Sequence, residues 1–347
     1  MKQSAVVIFP GRGTYGKDEL GYLTRFHSDK ADFIKGVDAW RKSQGRETVA
    51  ALDNTARYSA AKHASSLNAS ALIYTCALAD FAAINRDKFE IVAVCGNSLG
   101  WYLTLAAAGA LNQVNAIRLI DTMGALMEAE GVGGQLVYPF VDGDWRESAA
   151  NIRAISNALH DGRTEGEAYL SIRLGGMAVL AGDEAGMAAM EKTLPQVEDR
   201  YPFRLARHSA FHTPLLQHVS DKAFATLDTD FFEAPSIPMI DGRGAVWSPF
   251  STELDALHQY TLGHQIVETY DFSKSIEVAL KEFAPDRFIL VGPGSTLGAP
   301  IAQEMIRHRW LGLQSKADFS ARQKSDPFLL AMGRAEQRAA VETELSV

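Results

Sequence analysis

The chain has 347 residues, 47% hydrophobic and 22% charged, with 42 acidic against 34 basic side chains. That balance provides for a sizeable buried core and excludes a disordered chain. A net charge of −8 without a lysine-arginine run argues against nucleic acid as a partner. Two cysteines, Cys76 and Cys95, are too few for a disulfide framework and suit a reducing compartment. The first apolar run, Ala5 to Phe9, is too short for a signal-peptide core, and no stretch approaches a membrane span. The expected location is the cytoplasm, with no membrane partner.

Ala5 to Phe9 reads as a buried strand closed by Pro10-Gly11. Residues 30–85 read as mostly helical, followed by an apolar strand, Phe89 to Cys95, and a helix from Trp101 to Ala108. A second helix runs from about Val114 to Ala129. This alternation predicts a parallel α/β sheet. After Gly131-Val132-Gly133-Gly134 the pattern changes. Strands over 135–141, 169–174, 177–181 and 201–206 alternate with helices over 145–160 and 183–194, the second capped by Asp183. The order β-α-β-β-α-β is the ferredoxin-like split motif. The core resumes with helical 213–231, a strand at 237–240, a helix over 272–283 and a strand over 287–291. The expected architecture is a doubly wound, α/β-hydrolase-like core (1–131 and 207–330) with an inserted ferredoxin-like α+β subdomain (132–206). The charged tail, 331–347, lacks packing signals and is expected to fray.

Between strand and helix lies Gly96-Asn97-Ser98-Leu99-Gly100, a G-x-S-x-G nucleophile elbow. A serine on so tight a turn needs small neighbours, and the helix start behind it offers amides to an oxyanion. The alternative is a glycine-rich turn with a solvated serine. A nucleophilic serine needs a base. His212, where the chain re-enters the core, is the candidate, against a role capping the helix near Pro214. Gly11 to Gly16 fits G-x-G-x-x-G, but Pro10 is awkward in that turn and no acidic strand end follows at the required spacing. His208 and His212, four apart, lack the glutamate and third ligand of a zinc site, so no metal is expected.

Five segments in order resemble the malonyl-CoA:acyl-carrier-protein transacylase family and the acyltransferase domains of fatty-acid and polyketide synthases. They are Phe9-Pro10-Gly11-Arg12-Gly13, Gly96 to Gly100, Ala210-Phe211-His212-Thr213-Pro214, Gln265 with Phe272 to Glu277, and Val291-Gly292-Pro293-Gly294. The resemblance implies Ser98 as nucleophile, His212 as base and then acid, and the Gln265 backbone carbonyl as its orienting group. It implies an oxyanion hole from the Arg12 and Leu99 amides. It implies acyl-CoA and a phosphopantetheine-carrying acyl carrier protein as substrates, with no metal or redox cofactor.

The departures bear on the acyl group. The family register puts the carboxylate-binding arginine at Met123, with Arg118 a structural or surface residue. An apolar Met123 points to an uncharged acyl group, acetyl or longer. The competing reading lets Arg12, in place of the family's glutamine, bind a carboxylate. Asn97, Met123 and Phe211 are taken as acyl-pocket residues, and Asn97, Trp101 and Leu174-Gly175-Gly176 as signs of an altered pocket. Two rival functions keep the same residues: an acyl-thioester hydrolase, and a weakly active carrier-docking protein. Arg200, Arg204 and Arg207 are candidates for docking an acidic carrier, against plain solvated charge.

Overall fold

The computed structural model describes residues 1–342. The strands, in chain order, are β1 (Gln3–Phe9), β2 (Phe89–Gly96), β3 (Gly134–Pro139), β4 (Ala168–Leu174), β5 (Met177–Gly182), β6 (Phe203–Arg204), β7 (Met239–Ile240), β8 (Val246–Trp247), β9 (Tyr270–Asp271), β10 (Arg287–Leu290) and β11 (Leu329–Ala331). The larger sheet has the order β11-β10-β1-β2-β7-β8 and is parallel except for β8. Ala5 to Phe9 of β1, central in it, are all inaccessible to solvent. A strand apolar on both faces fits a parallel sheet covered on both sides.

The helices that frame the site are α1 (Ser66–Ala83), α2 (Leu99–Ala107) and α3 (Gln113–Glu130). Ser65 caps α1 and Asn112 caps α3, each accepting from the amide three residues on. The two helices approach closely at Gly124, where a Cβ would come within 3.1 Å of the Ser66 carbonyl.

The smaller sheet has the order β6-β3-β5-β4-β9, with α4 (Ala149–Glu165) and α5 (Glu184–Thr193) packed on it. The first four strands follow the split β-α-β-β-α-β order. The fifth, β9, comes from beyond residue 206 and pairs in parallel with β4. The small sheet is thus tied to the core through a strand that short-range pattern does not reveal.

Several elements differ in extent. The helix expected from Trp145 starts at Ala149, because the Asp142 carboxylate captures the amides of Asp144 and Arg146 in a turn and Ser148 takes the cap. The strand expected over 201–206 is only Phe203–Arg204. The strand expected over 237–240 shrinks to Met239–Ile240, since Pro238 has no amide to donate, though its carbonyl accepts from Val94. The helical stretch 213–231 is a helix over Gln217–Thr226 between two short turns of 3-10 helix.

The tail expectation is overturned for its described part, 331–342; residues 343–347 lie outside the described residues. Ala331 ends β11, and Ala335–Ala339 form α6. Arg338 is buried against Asp80 at 2.6 Å, and Asp80 also receives His27 Nε2 at 2.7 Å, Tyr22 OH at 2.8 Å and the Gly292 amide at 2.7 Å. The signal was missed because one arginine in a charged segment finds its partner 258 residues away. Among the described residues no helix is long and apolar enough to cross a membrane, and no group of three potential ligands could hold a metal.

Candidate active site

From β1 the larger sheet extends one way through β2 and β7 and the other way through β10 and β11. Sites in such sheets gather at the carboxyl ends of strands where the order diverges. Arg12 follows β1 and Ser98 follows β2, so both emerge there.

Ser98 has φ 55° and ψ −110° at the junction of β2 and α2, a strained conformation for a residue with a Cβ. A Cβ on Gly96 would strike the Gly100 backbone, and one on Gly100 would strike the Phe9 carbonyl. The glycines of the elbow are therefore required by close approach. Tyr270 OH fixes the strand end by donating to the Gly96 carbonyl at 2.6 Å.

His212, itself at φ 58°, places Nε2 2.7 Å from Ser98 Oγ and Nδ1 2.6 Å from the Gln265 carbonyl oxygen. A carbonyl only accepts, so Nδ1 carries the ring hydrogen and Nε2 turns a lone pair to the serine hydroxyl. Burial pushes the His212 pKa down to about 4, against a smaller upward pull from the Gln265 carbonyl. The imidazole is neutral at pH 7, the form a general base needs.

Gln265 also holds Ser98 through its side chain. Its Oε1 accepts from Tyr102 OH at 2.9 Å and its Nε2 donates to the Ser98 carbonyl at 3.2 Å. Sequence reasoning assigned only the backbone of Gln265 and missed Tyr102. Separations of 163 and 167 residues leave no local signal. Leu99 is the first residue of α2, and among the described residues its amide and that of Arg12 meet no acceptor. Both remain available to an oxyanion.

A cavity of about 50 Å3 opens beside Ser98 and His212, with Arg12, Leu99, Met123, Phe211 and Gln265 on its wall. Ser66, Ser70 and Met127 also line it. Such a void takes a few heavy atoms, the size of a short acyl group.

Asn97 is not on this wall and the acyl-pocket assignment is corrected. It packs beneath the loop after β1, where a Cβ on Gly11 would meet its side chain. Trp101 is core: wholly buried, donating to Thr261 Oγ1 at 3.1 Å and edge-on to Tyr260. Gly175 and Gly176 bond Ser273 and Gln303, away from this cavity. Arg118 lies over the Phe231 ring at 4.3 Å. Of the docking candidates, Arg204 is paired with Glu184 and Arg200 lies over Tyr201 and Phe203. Arg207 turns its carbonyl to Arg12. His208 bonds Gln135 at 2.8 Å.

No protein-family model matches the chain. It is 25% identical over 311 residues to a malonyl CoA-acyl carrier protein transacylase of Haemophilus influenzae, covering 86% of this chain and 90% of that one. It is 26% identical over 306 residues to the phenolphthiocerol synthesis polyketide synthase type I Pks15/1 of Mycobacterium marinum, covering 86% of this chain and 13% of that protein's length. Among solved structures, acyl-carrier-protein S-malonyltransferase of Burkholderia pseudomallei superposes with a TM-score of 0.74 at 19% identity, over 98% of this chain and 99% of that one. A malonyl-transacylase in complex with its type II polyketide acyl-carrier protein superposes with a TM-score of 0.70 at 17% identity, over 98% of each chain. The chain is thus similar in sequence, at low identity, and in fold to malonyl-CoA:acyl-carrier-protein transacylases. The fold is theirs, with a parallel core sheet and a smaller sheet beside it.

Proposed function

We propose that the chain is an acyl-CoA:acyl-carrier-protein S-acyltransferase that works through an acyl-Ser98 intermediate. The single observation that carries this reading is the line Ser98 Oγ–His212 Nε2–His212 Nδ1–Gln265 O, at 2.7 and 2.6 Å. Ser98 Oγ attacks the thioester carbonyl carbon as His212 Nε2 takes its proton. The tetrahedral oxyanion faces the Leu99 and Arg12 amides. The C–S bond then breaks, His212 returns the proton to the departing CoA sulfur, and the acyl group stays on Ser98. In the second half His212 deprotonates the thiol of the carrier's phosphopantetheine arm, which attacks the ester, and Ser98 regains its proton. These steps use only the acyl-CoA thioester, the carrier's thiol and the chain's own residues. The likeness to a transacylase seen with its acyl-carrier protein supports the choice of acceptor. The size of the cavity supports a short acyl group over a long one.

The test is intact-protein mass spectrometry after incubation with acetyl- and malonyl-CoA, in parallel with Ser98→Ala. An adduct on the native chain, absent from Ser98→Ala and discharged onto holo-carrier protein, is the expected result. An adduct that water removes as fast as the carrier does would make the chain a thioester hydrolase. No adduct from either thioester would refute acyl-serine chemistry, and leave a docking protein.

A further inference from the structure

Arg12 brings a half-buried cation to the wall of this cavity. Its partners are all uncharged oxygens: Nη1 donates to Ser66 Oγ at 2.8 Å, and Nη2 to the carbonyls of Ala64 and Arg207 at 2.9 and 3.1 Å. Among the described residues no carboxylate stands within 4 Å of it. Glu128, whose field reaches Arg12, commits Oε2 to the Ser66 amide at 2.6 Å. Among the described residues the buried Nε–H has no acceptor. Burial pushes the Arg12 pKa down to about 10, with Glu128 opposing the shift, so the guanidinium keeps its charge at neutral pH. A partly desolvated cation with an idle, buried donor is costly to hold unless an anion completes it.

We propose that Arg12 is the counter-ion for a carboxylate carried by the acyl group, so that this site selects carboxyacyl thioesters although Met123 supplies no charge. The proposal rests on acyl transfer through Ser98. Ser98, Arg12 and Met123 border one cavity, so the far end of an acyl group bound to Ser98 shares it with the guanidinium. Ser66 Oγ accepts from Arg12 and, among the described residues, donates to nothing, leaving its hydroxyl hydrogen for the same carboxylate. The guanidinium carbon lies over the Phe211 ring, 5.2 Å from its centroid, in cation–π reach. A phosphate of the pantetheine arm would sit many bonds from the reacting carbon, outside a void of about 50 Å3.

The experiment measures kcat/KM for acylation of Ser98 by malonyl-CoA and by acetyl-CoA in the native chain, Arg12→Gln and Arg12→Lys. The backbone amide at position 12 survives in every variant, so the ratio of the two constants isolates the side chain. Malonyl loading is expected in the native chain, with the malonyl-to-acetyl ratio falling about 100-fold in Arg12→Gln and about 10-fold in Arg12→Lys, which keeps the charge but loses the planar fork. Should circular dichroism show Arg12→Gln unfolded, the ratio in Arg12→Lys decides. An unchanged ratio would overturn the proposal, including the case in which both thioesters weaken together because Arg12 holds a phosphate of the arm. Acetyl loading without malonyl loading in the native chain would overturn it too and leave acyl transfer standing. No loading by either thioester would overturn acyl transfer itself, and this proposal with it.

Discussion

The rate of Ser98 acylation should stay nearly flat with pH far below the point at which an ordinary histidine would quench it. His212 has a pKa of about 4 because burial penalises the imidazolium, against an ordinary value of about 6.5. That displacement of about 2.5 pH units corresponds to roughly 3 kcal/mol between the two protonation states. A general base acts when neutral, so activity is complete above its pKa and is lost as pH falls through it. At pH 5 an imidazole of ordinary pKa would be about 3% neutral and one at about 4 would be about 90% neutral, roughly a 30-fold difference in rate. The assay is kcat/KM for acylation, quenched and read by intact mass between pH 4.5 and 8, since that constant reports the free enzyme. The same burial acts on stability. The folded pKa lies below the unfolded one, so stability is drawn down as pH falls from about 6.5 towards 4. Circular dichroism at each pH separates unfolding from titration. An acid limb with its midpoint at 6.5 or above, in folded protein, would refute the reasoning.

Two further predictions concern residues that hold the site and the fold together. Gln265→Ala removes the grip on the Ser98 carbonyl and leaves the buried Tyr102 hydroxyl without its acceptor, but keeps the backbone carbonyl that orients His212. It should lower stability by about 1–3 kcal/mol and acylation by about tenfold, with the acid limb unmoved; a displaced limb would show that the side chain tunes the base. Arg338→Met strands the Asp80 carboxylate in the core and should cost about 3–5 kcal/mol in urea unfolding. The double variant Asp80→Asn, Arg338→Met should recover part of that loss, and full additivity would deny the coupling.

The order of elements was legible in the chain because most elements leave a local mark, while the Ser98–His212 pairing was implied by the family resemblance rather than by any local signal at His212. The apolar run at Ala5 to Phe9 marks a buried parallel strand, the glycines around Ser98 mark a turn with no room for a Cβ, and Asp183 marks a helix start. The family register made Met123 conspicuous as an uncharged residue. What the sequence by itself could not determine was which distant groups meet. Whether Asn97 or Arg12 faces the acyl cavity depends on how the loops after β1 and β2 pack, and consecutive residues of an elbow point in different directions. Tyr102 and Gln265 meet Ser98 only after the sheet is assembled. Asp80 and Arg338 pair across most of the chain, so a tail that looked like solvated charge is fastened into the core. Burial and long-range polar pairing are properties of the whole packed chain. The His212 pKa and the lone cation at Arg12 were therefore decided by the tertiary structure alone.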